Sequence, residues 1–148
     1  MNTIAWAVIG LGRFGAVHAE VISQMPGCKL AAVCGRNPER LAALASRLPD
    51  VRHESDYRRL LEDGRIDAVS IVTHVRDHHR LALDALAAGK HVLLEKPMAE
   101  TPAQCQELVA AAHAAPGIFM VGHICRFDPR IVLAQEAIAA GKLGRIFA

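Results

Sequence analysis

The sequence predicts an α/β domain, a doubly wound parallel sheet with helices on both faces. Three observations carry that expectation: short apolar runs recur along the 148 residues, helical periodicities fill the stretches between them, and turn residues bound the runs. Residues 4–9, 30–34, 68–72, 92–94 and 118–121 are apolar without the alternation of a strand that has one wet face. Each is therefore expected to be a strand covered on both sides.

Taken in order, the first strand, 4–9, runs into a glycine-rich turn, and residues 16–25 continue as a helix. After the strand at 30–34, Asn37-Pro38 gives a side-chain cap with proline at the first helical position, and Leu41, Leu44, Ala45 and Leu48 follow at helical spacing up to Pro49. Residues 52–54 make a short edge strand. Beyond the strand at 68–72, Ala82, Ala85, Leu86 and Gly89 mark a second helical face. The 92–94 strand leads to Thr101-Pro102 with Gln104 three residues after the cap, a capping box, and to Cys105, Leu108, Val109 and Ala112 on one helix face ending at Pro116-Gly117. After 118–121, Asp128-Pro129 caps a helix reaching residue 140, Gly141 stops it, and 145–148 read as a strand just beginning.

Composition narrows the function. Hydrophobic residues make up 52% and aromatic residues 4%, so Ala, Val, Leu and Ile must build the core. A net charge of +2 with scattered basic residues argues against a nucleic-acid partner. The four cysteines Cys28, Cys34, Cys105 and Cys125 show no CxxC spacing and lie among apolar neighbours, as reduced packing residues do. Neither a signal peptide nor a membrane span is visible, which points to the cytoplasm. His74, His78 and His79 have only Asp77 beside them at ligand spacing, so no metal site is expected.

Gly10-Leu11-Gly12-Arg13-Phe14-Gly15 fits G-x-G-x-x-G directly after a strand and before a helix. In that context Gly10 serves the tight turn, Gly12 lets the backbone approach a pyrophosphate and Gly15 lets helix and strand pack closely, with the helix amino terminus toward the anion. A Rossmann-like dinucleotide site follows. Where NAD-binding chains carry an Asp or Glu for the ribose hydroxyls, this chain has Gly35, followed by Arg36, Asn37 and, one turn on, Arg40. A guanidinium pairs with a 2′-phosphate that a carboxylate would repel, so NADP is expected in preference to NAD. NAD stays open through Glu39 as a substitute ribose acceptor.

Three further segments sit at the carboxyl ends of expected strands: Thr73-His74-Val75-Arg76-Asp77-His78, Glu95-Lys96-Pro97 and Gly122-His123-Ile124-Cys125-Arg126-Phe127. With the glycine loop, and with Ala87-Ala88-Gly89-Lys90-His91-Val92 leading to Glu95-Lys96-Pro97, they make the chain resemble the glucose–fructose oxidoreductase/inositol dehydrogenase/rhizopine catabolism (Gfo/Idh/MocA) family along essentially its whole length. His74 departs from the proline usual in the family's T-P-x-x-x-H.

The resemblance implies an oxidoreductase that moves a hydride between a nicotinamide and a hydroxyl or carbonyl carbon of a sugar, inositol or related polyol. It implies Lys96 as the catalytic lysine, Glu95 and Pro97 shaping its turn, Thr73 and His78 flanking the cofactor, and His123 and Arg126 lining the same crevice. Arg126 also has Asp128 as its nearest carboxylate in sequence. The resemblance further implies residues 1–125 as the dinucleotide domain and 126–148 as a linking helix and the start of a substrate domain. That domain would complete the catalytic set and support a homo-oligomer. The rival reading is a non-catalytic dinucleotide-binding sensor or interaction module on the same fold.

Overall fold

The computed structural model describes residues 3–145 and 147. Among the described residues, six strands form one sheet: β1 (Ile4–Ile9), β2 (Cys28–Cys34), β3 (Arg52–Glu54), β4 (Ala68–Ile71), β5 (His91–Leu94) and β6 (Phe119–Val121). Their order is β3-β2-β1-β4-β5-β6, and every pairing is parallel. The crossovers are α1 (Arg13–Gln24), α2 (Pro38–Ala45), the short α3 (Arg58–Leu61), α4 (Val75–Ala87) and α5 (Pro102–Ala114). A 3-10 turn at Ile124–Phe127 then leads to α6 (Pro129–Ala139). From β1 the chain winds outward to β3 and returns to β4 on the other side of β1, so the topological switch lies between β1 and β4.

Strand alternation divides the core. Ala7 and Ile9 belong to one apolar cluster with Ile71, Leu81 and Leu94, whereas Val8 joins Ala19, Ile22, Val33 and Leu44 on the other face. That two-sided burial is what the unbroken apolar runs anticipate. Helix starts follow their local chemistry. The side chain of Asn37 accepts from the Arg40 N–H, Thr101 and Gln104 form the reciprocal capping box, and Asp128 accepts from the Arg130 N–H.

Register brings the strand ends level with one another. Ile9 pairs with Cys34 and with Ile71, Ile71 with Leu94, and Leu94 with Val121. The ladder extends one residue further: Gly10 donates to Cys34 O, Val72 to Ile9 O, Glu95 to Ile71 O and Gly122 to Leu94 O. The residues just beyond each strand therefore stand in one row along the sheet's carboxyl edge.

Several expectations need correction. Residues 118–121 are not covered on both faces: Ile118 is 69% and Met120 41% exposed at the sheet margin, because no layer of the described residues packs there. Helix α1 begins at Arg13, not at 16, since Gly12 already acts as its N-cap. Gly89 lies beyond α4 with positive φ, as a helix-ending glycine does. Arg145 lies in a bend and Phe147 outside regular structure, while Ile146 and Ala148, the rest of the expected strand, lie outside the described residues.

Cys125 is exposed on the 3-10 turn instead of packed, whereas Cys34 is buried. Burial, reinforced by the carboxylates of Asp56 and Glu54, pushes the Cys34 thiol up to about 11. Alkylation with iodoacetamide at pH 8 is expected to label Cys125 in the folded chain and to reach Cys34 only after unfolding, as peptide mapping of the labelled protein would show. Equal labelling of both in the folded state would contradict this burial pattern.

Candidate dinucleotide site

A cleft of about 750 Å³ opens along the carboxyl ends of β1, β2 and β4. Gly10, Gly12, Arg13, Phe14, Gly15, Gly35, Arg36, Asn37, Arg40 and Thr73 all line it. The glycines behave differently from one another. Gly10 has φ +101°, and a β-carbon there would strike the Val72 carbonyl; at Gly15 one would strike the Gly10 carbonyl. A β-carbon on Gly12 meets nothing within 4 Å and would project into open space. Among the described residues, no side chain caps the first turn of α1, so its N–H groups are left for an anion. This cradle fits a dinucleotide pyrophosphate: backbone donors face a gap that only the missing Gly12 side chain would fill.

At the β2 end, a side chain on Gly35 would press on Leu11, whose atoms lie 3.1–3.3 Å from the β-carbon position. Arg36 is exposed and reaches Asp77 at 3.4 Å. Asn37 spends its side-chain oxygen on the α2 cap. Glu39 does not line the cleft. Arginines 13, 36, 40, 58 and 80 surround the cleft against two aspartates, Asp56 and Asp77, a balance that attracts anions.

Sequence reasoning missed the wall opposite. Tyr57, the only tyrosine, is buried, donates to Asp84 Oδ2 at 2.6 Å and accepts from Arg80 Nη1 at 2.6 Å. Burial, and then the bond to Asp84, raises the Tyr57 pKa. Arg58 and Arg80 lie 5.1 and 5.3 Å from its ring centre, within cation–π range. Tyr57 thus holds two of the cleft's cations.

The remaining expected residues lie outside the cleft lining. His78 is 1% exposed, and its ring is enclosed between carbonyls: Nδ1 lies 2.8 Å from Pro97 O and Nε2 3.2 Å from Thr73 O. It ties the loop after β4 to the turn after β5 and presents no atom to a ligand. His79, its neighbour, meets Glu107 at 2.8 Å. Glu95 is buried, and its Oε2 accepts the Lys96 N–H at 3.1 Å. Lys96 and Pro97 are exposed, joined by a cis peptide. His123 and Arg126 are exposed beyond β6. Asp128 does not pair with Arg126; it binds Arg130 at 2.6 Å, two residues away and on the same helical turn. No cluster of three metal-ligating side chains occurs among the described residues.

A parallel sheet of this order, with a glycine cradle at its switch point and a cation-lined cleft beside it, defines a dinucleotide-binding Rossmann domain. The profile of the Gfo/Idh/MocA oxidoreductase family, NAD-binding Rossmann fold, matches residues 4–123. The chain belongs to that family. Among its relatives, the scyllo-inositol 2-dehydrogenase (NAD(+)) of Bacillus subtilis strain 168 is 34% identical over 97% of this chain and 42% of its own length. Inositol 2-dehydrogenase 2 of Saccharopolyspora erythraea is 33% identical over 97% and 43%. The crystal structure of scyllo-inositol dehydrogenase from Lactobacillus casei with bound NAD(H) and scyllo-inositol superimposes with a TM-score of 0.90 at 30% identity, covering 98% of this chain and 43% of that one. The chain thus spans less than half the length of these relatives. Among the described residues, no helix is long and apolar enough to cross a membrane.

Proposed function

We propose that this chain is the cofactor-binding part of an oxidoreductase that exchanges a hydride between NADP(H) or NAD(H), the former preferred, and a hydroxyl or carbonyl carbon of a sugar, inositol or related polyol. The observation that carries the reading is the in-register row at the sheet's carboxyl edge. It aligns the glycine cradle, Gly35-Arg36 and Glu95-Lys96-Pro97 along one line, as a ligand crossing the switch point requires. The bound nicotinamide supplies the hydride acceptor or donor. Lys96 Nζ moves the hydroxyl proton, and Thr73, with the Glu95 and Pro97 turn, shapes the nicotinamide end. His78 serves indirectly by tying Thr73 O to Pro97 O. His123 and Arg126 belong to the substrate side.

Residues 1–125 form the dinucleotide domain in this reading, and 126–148 lead into a substrate domain through which the protein self-associates. Supporting this are relatives more than twice as long and a helix α6 with no buried residue. The relatives' names supply the polyol class.

NADP preference rests on position 35, where any side chain would crowd Leu11, and on Arg36 as an exposed cation at the adjoining position, in contact with Asp77 at 3.4 Å. Calorimetric titration at matched low salt is expected to give tighter binding of NADPH than of NADH. Arg36→Ala should weaken NADPH by about 10- to 100-fold, the worth of a charge-assisted pair, and leave NADH nearly unchanged. Tighter NADH binding would keep the domain and overturn the cofactor preference. Failure of both to bind, in this chain and in the full-length enzyme alike, would remove the dinucleotide reading altogether.

A further inference from the structure

His18 stands one turn after the glycine cradle, on the side of α1 that faces the sheet, with its ring 5.2 Å from that of Phe14. Its Nδ1 lies 2.8 Å from the hydroxyl of Ser70, a fully buried residue of β4. Its Nε2 lies 3.4 Å from Oε1 of Glu95, itself 6% exposed at the end of β5. The other carboxylate oxygen, Oε2, accepts the Lys96 N–H at 3.1 Å.

Nε2 faces the Glu95 carboxylate at ion-pair distance, and a carboxylate only accepts; with the proton of a neutral ring on Nε2, the bare Nδ1 accepts the Ser70 O–H. Burial, the larger influence, lowers the His18 pKa and favours that neutral ring, although neighbouring Glu95 opposes it. The order serine, histidine, carboxylate is that of a nucleophilic triad, but Ser70 has no exposed surface and no substrate can reach it. Oε1 also has little room on the β6 side: a β-carbon on Gly122 would fall 2.9 Å from it. The carboxylate is thus bounded by His18 of α1 and by Gly122 after β6, and its other oxygen accepts the Lys96 N–H.

We propose that His18 is a positioning residue for Lys96: anchored by Ser70, it sets the Glu95 carboxylate, which fixes the backbone from which the lysine projects. The proposal rests on Lys96 being the catalytic lysine. It also explains why a polar histidine is placed under the glycine loop, where the fold alone needs only an apolar side chain. Cofactor cradle and lysine turn are thereby joined through two side chains instead of through the sheet alone.

The test uses amide hydrogen exchange in this chain and steady-state kinetics of polyol oxidation in the enzyme. His18→Leu keeps the volume but loses both bonds. It is expected to speed exchange of the Lys96 amide at least tenfold and to lower kcat at least tenfold, with KM for the dinucleotide within twofold. His18→Gln restores an N–H donor toward Glu95 and is expected to keep both quantities within threefold of wild type. Ser70→Ala, which frees the ring without removing it, should move both in the same direction as His18→Leu but less. Unchanged Lys96 exchange in both His18→Leu and Ser70→Ala overturns the proposal. So does a parallel rise in dinucleotide KM and fall in kcat that His18→Gln does not rescue, the mark of a merely structural histidine. If Lys96→Ala retains full turnover, the lysine assignment falls instead, while the exchange data still decide whether the brace exists.

Discussion

Lys96→Ala in the enzyme is expected to lower turnover by about 10²–10⁴-fold, the usual worth of a positioned acid–base group, while dinucleotide affinity stays within about twofold. The separation follows from where the residues stand. Lys96 lies outside the cleft lined by the glycine loop and Gly35-Arg36, so its side chain contributes little to holding the cofactor. Its backbone, by contrast, is pinned by Glu95 on one side and Pro97 on the other, and Pro97 is in turn held through its carbonyl by His78. Such fixation suits a group that must meet a hydroxyl proton in one geometry. A sensor or interaction module would need the cradle but not the lysine. Parallel titration and rate measurements on the variant therefore separate the two readings: unaltered turnover would sink the catalytic assignment.

The second large effect is expected at Gly15. An alanine methyl there would overlap the Gly10 carbonyl oxygen, a backbone atom that cannot rotate away, and would meet the Val72 side chain at 3.7 Å. Overpacking of this kind costs about 1–3 kcal/mol, so Tm should drop by roughly 4–10 °C. The displaced loop should also lose most of its NADPH affinity. Gly12→Ala makes the complementary case. Its methyl enters open space, so folding should change by about 1 kcal/mol or less, yet the methyl occupies the approach of the pyrophosphate and binding should fail. Thermal unfolding and calorimetry on the pair would show stability and binding lost together at position 15 and binding alone at position 12. Equal Tm values for the two variants would mean that the helix does not pack on the loop as described.

How far the sequence could be read depended on the range of the forces involved. Helix caps are local, so Asn37-Pro38, Thr101-Pro102 with Gln104, and Asp128-Pro129 could be read directly and fold as their neighbours dictate. The glycine loop was equally legible, because its chemistry is confined to six consecutive residues. Burial at 118–121 was not: an apolar run looks the same whether one layer covers it or two, and Ile118 and Met120 turn out to face outward. Helix α3, four residues long, is too short for any period to register. His18, Ser70 and Tyr57 escaped notice for another reason. Their partners are distant in sequence, 52 residues for His18 and Ser70 and 27 for Tyr57 and Asp84, and no spacing rule links them. Arg126 and Asp128 show the converse error, since proximity in sequence suggested a pair that helix geometry gives to Arg130.

The two margins of the sheet differ in a way that bears on how it could accrete more chain. At β3 the margin is three residues, Arg52-His53-Glu54, and Arg52 is engaged with Asp63 at 2.7 Å and Glu54 at 3.5 Å. Charges at such a margin repel an incoming strand, because joining would strip them of water. At β6 the margin is Phe119-Met120-Val121, without a charge, and among the described residues it pairs only with β5. The sheet is thus chemically polar from side to side: a charged, internally paired border beside β3 and, among the described residues, an uncharged one beside β6.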